Sequence, residues 1–374
     1  MEKLKRHISR IKTFDLLRGY FMVSIVIDHL AFFPNGIDWW SARGGLFVTA
    51  AEGFFLISGI VLGVVRGAKL IDQPMAHVSK LLLKRGLQLY LTSITLVLLF
   101  TVVGWLFYMG NPGLKPEIAA PNSNIFSVLW STLTLQYYYG WTDYLRLYAL
   151  FLFVSPLAFW LLRRGLWYVV LGLSLVVWSL YPNDLSLPFN LRVYLQPLSW
   201  QSLFFIGVVT GFYWNHIVDS WRNLPHRYRQ ALTVGLLSLA GVTFTLNVLI
   251  MLSTMGVNTG PVLTPELQHY LFDNYFNKEA MPLGRILLAL TWFWAAFYLF
   301  KRFEVYVTAV LGWLLIPFGT NSLYVYTLHA FIVFFIDLYF VPGPLWFNFL
   351  VTAGSILLIR LAVKYRLLMG FIPR

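Results

Sequence analysis

Residues 14–33 read FDLLRGYFMVSIVIDHLAFF, an apolar run that carries Asp15, Arg18, Asp28 and His29. A membrane-spanning helix needs about 20 predominantly apolar residues, so this stretch is long enough to cross. An ionisable group inside a span costs roughly 2.5–3.5 kcal/mol on insertion scales and marks function by default. The next apolar run adds Glu52 in Ala51-Glu52-Gly53, followed by Ser58-Gly59. Ionisable groups in two successive spans bear on the fold and the chemistry together.

Of the 374 residues, 59% are hydrophobic and only 11% charged, whereas soluble domains carry about 25% charged residues. The expected fold is all-α: a single polytopic membrane domain over 1–374. The first apolar run is too long for a signal-peptide core and lacks a small-residue cleavage site. Spans are expected near 14–33, 46–65, 86–108, 145–162, 166–181, 200–216, 230–252, 283–300, 319–340 and 344–363, about 10 in all. Basic residues fall in alternate loops: the tail to Lys12, then Arg66 to Arg85, Arg163-Arg164, Arg222 to Arg229, Lys301-Arg302, and Lys364 with Arg366 and Arg374. The positive-inside rule then puts both termini in the cytoplasm. The net charge of +13 reads as cytoplasmic anchoring, with no nucleic acid partner. Segments 125–140 and 303–317 would invert the later loops if they crossed, so they read as re-entrant or interfacial. The outer loops 109–124 and 253–282 are rich in Pro, Asn and Gly. With no cysteine, a disulfide framework or thiolate metal site is excluded, and no metal site is expected.

On the first span Asp15, Arg18, Met22, Ile25 and His29 are spaced 3, 4, 3, 4, which at 3.6 residues per turn makes one stripe. Asp15 and Arg18 are placed to neutralise each other near the cytoplasmic end, and a purely structural ion pair is the plain alternative. His29 lies about 22 Å from that end at 1.5 Å per residue. Glu52, on a span running the other way, lies about 9 Å below the outer face, and His29 lies roughly 6 Å below it. An imidazole and a carboxylate at one level suit a general base and its orienting partner. Gly45, Glu52, Gly59 and Arg66 share a face at intervals of seven, and Gly59-x-x-x-Gly63 has the small-residue spacing that lets helices approach closely. The expectation is that it joins the first two spans. Asp28 points roughly 100° from His29, and His329 is a weaker candidate in a late span.

Asp15-x-x-Arg18-Gly19, Asp28-His29 and Ala51-Glu52-x-Phe54-x-x-x-Ser58-Gly59 resemble the start of the OpgC-type proteins, named for succinylation of osmoregulated periplasmic glucans. The similarity continues through Asp143-Tyr-Leu-x-x-Tyr148 and Pro197-x-x-Trp200-Gln201-x-x-Phe204-x-x-Gly207. It extends to the Asp273–Arg285 stretch and Asn321-Ser322-Leu323 with His329. The wider group these proteins resemble is the acyltransferase 3 superfamily. The resemblance implies an enzyme of the bacterial inner membrane, an acyltransferase for groups other than amino-acyl. It would move an acyl group such as succinyl from cytosolic acyl-CoA (succinyl-CoA or acetyl-CoA) to a hydroxyl of an extracytoplasmic glycan, with no permanently bound cofactor. The chain departs from the pattern at the third span, where Arg85-Gly-Leu-Gln88 replaces Arg-x-x-Arg and Lys84 stands beside it.

Joined, the two lines place a trans-membrane reaction path on the stripe. Acyl-CoA phosphates are expected near Arg18, Lys84 and Arg85, with Asp15 alongside. His29 is the expected base and Glu52 its orienting partner. Trp200 and Gln201 are expected to bind a sugar by stacking and hydrogen bonding. Arg146 and Arg285 are expected to hold an anionic glycan or the acyl carboxylate. A transporter or flippase is the alternative; it would use the same intramembrane charges and is expected to show inverted repeats, of which the sequence has none.

Overall fold

Fourteen α-helices and no strand make up the described residues of the computed structural model, which are 10–41, 43, 47–107, 114, 118–180, 197–254, 257–258, 264–370 and 372. The first are α1 (Lys12–Leu30), α2 (Ala50–Leu62, continued by a π-helical turn Gly63–Ala68), α3 (Met75–Leu106) and α4 (Ile125–Leu133). Then come α5 (Asp143–Arg163), α6 (Trp167–Ser179), α7 (Pro197–Phe212), α8 (Trp214–Asn223) and α9 (His226–Thr254). The last are α10 (Pro265–Tyr275), α11 (Leu283–Arg302), α12 (Glu304–Thr320), α13 (Ser322–Tyr339) and α14 (Leu345–Tyr365). The tail before Arg10, Gly45, Lys115, Glu117, Asp184, Arg192 and Arg374 lie outside the described residues.

Helix starts follow from local chemistry. Pro74, Pro282 and Pro344 stand immediately before α3, α11 and α14, where a ring without an N–H deprives the helix of nothing. Thr49 caps α2 and Thr264 caps α10, each accepting from an orphan backbone N–H.

Each of the ten stretches expected to span falls on a helix. Seven of these, α2 (with its π turn), α3, α5, α9, α11, α13 and α14, are long and apolar enough to cross a membrane. The other three are α1, which has the length but carries Asp15, Arg18 and Asp28, and the shorter apolar α6 and α7, of 13 and 16 residues. Helix α4, at 9 residues, is too short to cross and lays Ile125, Phe126 and Trp130 outward. Helix α12 spans 17 residues, yet its start bonds α1 through Glu304 and Thr13 and its end presses Gly319 on the backbone of Asp15 and Gly19. Gly19 likewise meets the backbone of Leu315, so α12 packs closely against the first half of α1.

At the centre α1 packs against α2, α11, α12, α13 and α14. The Gly59-x-x-x-Gly63 spacing does bring two helices together, but they are α2 and α7. Gly207 and Gly211 of α7 face Gly59 and Gly63, and a methyl group at any of the four would drive into the backbone of the facing helix. The small-residue pattern is reciprocal, and a single half of it read along the chain does not name its partner.

Replacing Gly207 by Leu should cost at least about 1–3 kcal/mol of stability, since that contact has no room for overpacking. Gly172→Ala, where a methyl meets nothing, should leave the unfolding midpoint in detergent near that of the parent chain.

Candidate active site

The last turn of α1 brings His29 against α13. The Nδ1 atom of His29 lies 2.8 Å from Nε2 of His329, and Nδ1 of His329 lies 2.8 Å from the Tyr326 carbonyl oxygen. A carbonyl only accepts, so Nδ1–H of His329 donates to it and leaves Nε2 of the neutral ring as an acceptor. His29 must then donate from Nδ1, which puts its lone pair on Nε2. The ring of Trp141 stacks on His29 at 3.7 Å between centroids and 14° between planes, fixing the plane of the imidazole. Trp141 follows Gly140, whose φ of 69° lies in the left-handed region that glycine reaches without a steric penalty.

A pocket of about 220 Å³ opens at this imidazole, with Asp28, Arg43, Asp143, Lys278 and Tyr326 among its walls. Asp28 accepts from the Ser41 hydroxyl, Arg43 donates from Nε to Asp38 at 2.6 Å, and the Tyr326 hydroxyl donates to Asp143 at 3.1 Å. Tyr326 thus supports His329 through its carbonyl and shapes the pocket with its phenol. Donors, acceptors and both charge signs converge on one titratable ring, as in a site that handles a polar substrate.

Glu52 does not orient His29. Its carboxylate is fully buried and accepts from Nε of Arg285 at 2.6 Å, from the Thr49 N–H at 3.0 Å and from the Thr49 hydroxyl at 2.5 Å. It is the N3 residue of α2, where a carboxylate reaches back to close a capping box, and the Arg285 guanidinium neutralises it. The orienting partner of His29 is His329.

The expected sugar and anion contacts are also taken up inside the protein. Arg285 is 1% exposed and also donates to the Phe276 carbonyl. Arg146, equally buried, donates to the Leu135 carbonyl at 2.9 Å and lies under the Tyr138 ring. Gln201 binds the Ser174 hydroxyl and carbonyl, both at 2.7 Å. Trp200 is fully buried and donates from Nε1 to the Lys278 carbonyl at 3.1 Å. Ser199 bonds the Glu279 carbonyl at 2.8 Å and Trp178 the Met281 carbonyl at 2.9 Å. Together Trp178, Ser199 and Trp200 hold the segment that delivers Lys278 to the pocket.

At the other end of the stripe Asp15 pairs with Arg10 at 2.6 Å, and Arg18 donates to the Ser322 hydroxyl, so the expected Asp15–Arg18 pair does not form. Arg18 instead shares its electrostatic surroundings with Arg66, Arg85 and Tyr148. Lys84, one residue and about 100° round α3 from Arg85, is exposed, and Arg66 supplies the third charge. Eleven residues of α1 separate Arg18 from His29, about 16 Å along the axis.

Sequence reasoning undervalued His329 and missed Trp141, Tyr326, Arg43 and Lys278 as pocket residues. An imidazole amid the apolar residues of α13 was the available signal for His329. Arg66 was signalled only by its seven-residue spacing from Glu52 and Gly59.

A family model described as OpgC protein matches residues 10–369. No curated protein and no solved structure matches the chain.

Because Glu52 and Arg285 are buried together, Glu52→Ala or Arg285→Ala should each cost about 3–5 kcal/mol by stranding the other charge. The double variant should lose less than the sum of the two, as read by chemical unfolding in detergent.

Proposed function

The chain belongs to the OpgC protein family, and from that premise we propose that it is a membrane acyltransferase of the bacterial inner membrane, moving an acyl group, succinyl in the first instance, from cytosolic acyl-CoA to a hydroxyl of an extracytoplasmic glycan. The observation that carries this reading is the ordered imidazole pair: hydrogen bonds 2.8 Å long from the Tyr326 carbonyl through His329 to His29 put a basic Nε2 on the ring that lines the polar pocket.

In this scheme Nε2 of His29 takes the proton of the acceptor hydroxyl as its oxygen attacks the thioester carbonyl. The C–S bond then breaks, and the same proton passes from imidazolium to the departing CoA sulfur. His329 accepts the Nδ1–H throughout and stabilises the positive ring, the part an orienting carboxylate plays in a triad. Arg18, Arg66 and Arg85 would hold the phosphates of the donor. The roughly 16 Å between Arg18 and His29 along α1 leaves the thioester to be reached by the extended arm of the same molecule.

Transfer is tested in proteoliposomes with succinyl-CoA and a β-glucan oligosaccharide, following ester formation by mass spectrometry and CoA release. His29→Ala should lower kcat by about 10²–10⁴-fold, the usual worth of a general base; full activity in that variant would sink the scheme. His329→Ala should lower kcat by roughly 10–100-fold, and His329→Gln, whose amide oxygen can accept from Nδ1, should recover part of it. Arg66→Ala should raise KM for the acyl-CoA with little change in kcat, the pattern of a lost ground-state contact.

A further inference from the structure

The pocket at His29 holds two cations that the transfer scheme leaves unused, Arg43 and Lys278. Arg43 lies in the connection from α1 to α2 and is held on two sides. Its Nε donates to Asp38 at 2.6 Å, and its guanidinium carbon lies 4.9 Å from the centre of the Phe33 ring. The other Asp38 oxygen is taken by the N–H groups of Asn35 and Gly36, both at 3.0 Å. Part of the guanidinium is left over: Nη2 of Arg43 is buried and has no hydrogen-bond partner among the described residues. A buried donor on a charged group is costly to leave unmade. Asp28 and Asp143 line the same pocket, yet neither takes this atom; Asp28 accepts from Ser41 and Asp143 from Tyr326. Arg146, three residues on from Asp143, offsets the charge of that carboxylate.

We propose that Arg43 and Lys278 seat the free carboxylate of a dicarboxylic acyl donor, and so set the preference of the site for a succinyl-type group over an acetyl group. This rests on the acyl-transfer reading above. The direction of α1 supports it. With the phosphates of the donor near Arg18 and its thioester at His29, the acyl chain beyond the carbonyl continues away from the arginines. Arg43 and Lys278 stand at that end, on the connections that leave α1 and enter α11. A carboxylate makes a stronger bond to a guanidinium than a neutral sugar hydroxyl does, and a second cation favours it further. The pocket, at about 220 Å³, falls below the roughly 300–1,000 Å³ of sites for drug-sized ligands, which suits a short acyl end. With an acetyl or esterified donor Nη2 stays buried and unpaired, and a site built around such a bond rejects the analogue that lacks it. The carboxylate is a spectator: no bond to it forms or breaks, and the proton and the CoA thiol leave as described.

The test compares succinyl-CoA, its methyl ester and acetyl-CoA as donors to the same β-glucan oligosaccharide, with the full-length protein in proteoliposomes. Succinyl-CoA should exceed either neutral donor in kcat/KM by about tenfold or more. Arg43→Gln should cut that ratio about tenfold, and Arg43→Lys, which keeps the charge but not the fork, should recover part of it. Lys278→Met should lower the ratio in the same direction. Trp200 grips residue 278 by its carbonyl, so this variant keeps its fold and decides the matter if Arg43→Gln does not fold. A ratio left unchanged by these variants, with equal losses on every donor, marks a structural role and overturns the proposal. Binding separates the proposal from the reading it rests on. The non-transferable thioether carboxypropyl-CoA should bind about tenfold more tightly than butyl-CoA, and Arg43→Gln should remove the difference. Tighter binding without any turnover would uphold the carboxylate seat while removing the acyl-transfer reading. Turnover that does not distinguish succinyl-CoA from its methyl ester would remove the seat and leave that reading standing.

Discussion

A carboxylate enclosed in a helix bundle has to be neutralised, and much of this protein is arranged around how Glu52 meets that demand. Its two oxygens are divided between Arg285 and the Thr49 backbone and hydroxyl, so one residue closes the start of α2 and clamps it to α11. The same arginine donates to Phe276, tying down the segment that enters α11. Because either charge alone would be stranded in a medium that cannot solvate it, the connection between α2 and α11 forms whole or fails whole. The π turn beyond α2 carries Arg66 toward Arg18 and Arg85, and the far side of α2 is locked to α7 by reciprocal glycines.

Within that frame α1 gives the molecule its polarity. Arginines from α1, the π turn and α3 gather near its first turns, and an imidazole relay closes its last turn. A backbone carbonyl fixes one tautomer, that tautomer fixes the next, and Trp141 fixes the plane. A main-chain carbonyl cannot be titrated, so the direction of the relay is set by the fold itself.

Much of this was legible in the residues. The ten apolar stretches each fall on a helix because continuous hydrophobicity of that length leaves few other structures open. The 3-4-3-4 spacing placed Arg18 and His29 on one stripe because helical period is a local property. That Glu52 lies in the first turn of a helix was legible as well. Azimuth was not, because the rotation of α2 is set by its contact with α7, and nothing in residues 46–65 refers to residues 207–211. Partners distant along the chain were lost for the same reason: His329 is 300 residues from His29, and Arg285 is 233 from Glu52. Trp200 and Gln201 were read as sugar contacts because aromatic and amide groups suit carbohydrate. The same chemistry suits a buried backbone, and the fold uses it there.

The hold on the segment before α11 has one property that sets it apart from the rest of the site. Trp178, Ser199, Trp200 and Arg285 grip it by the carbonyl oxygens of Met281, Glu279, Lys278 and Phe276. Every residue type presents the same carbonyl, so the grip is blind to the side chain at 278. That position is a socket: its location is guaranteed by the backbone, while its charge, length and hydrogen-bonding capacity are left open. A change at 278 can thus retune what the pocket attracts without disturbing the imidazole pair, which stands on other helices. The His29 ring and the side chain at 278 thus line one pocket from separate supports.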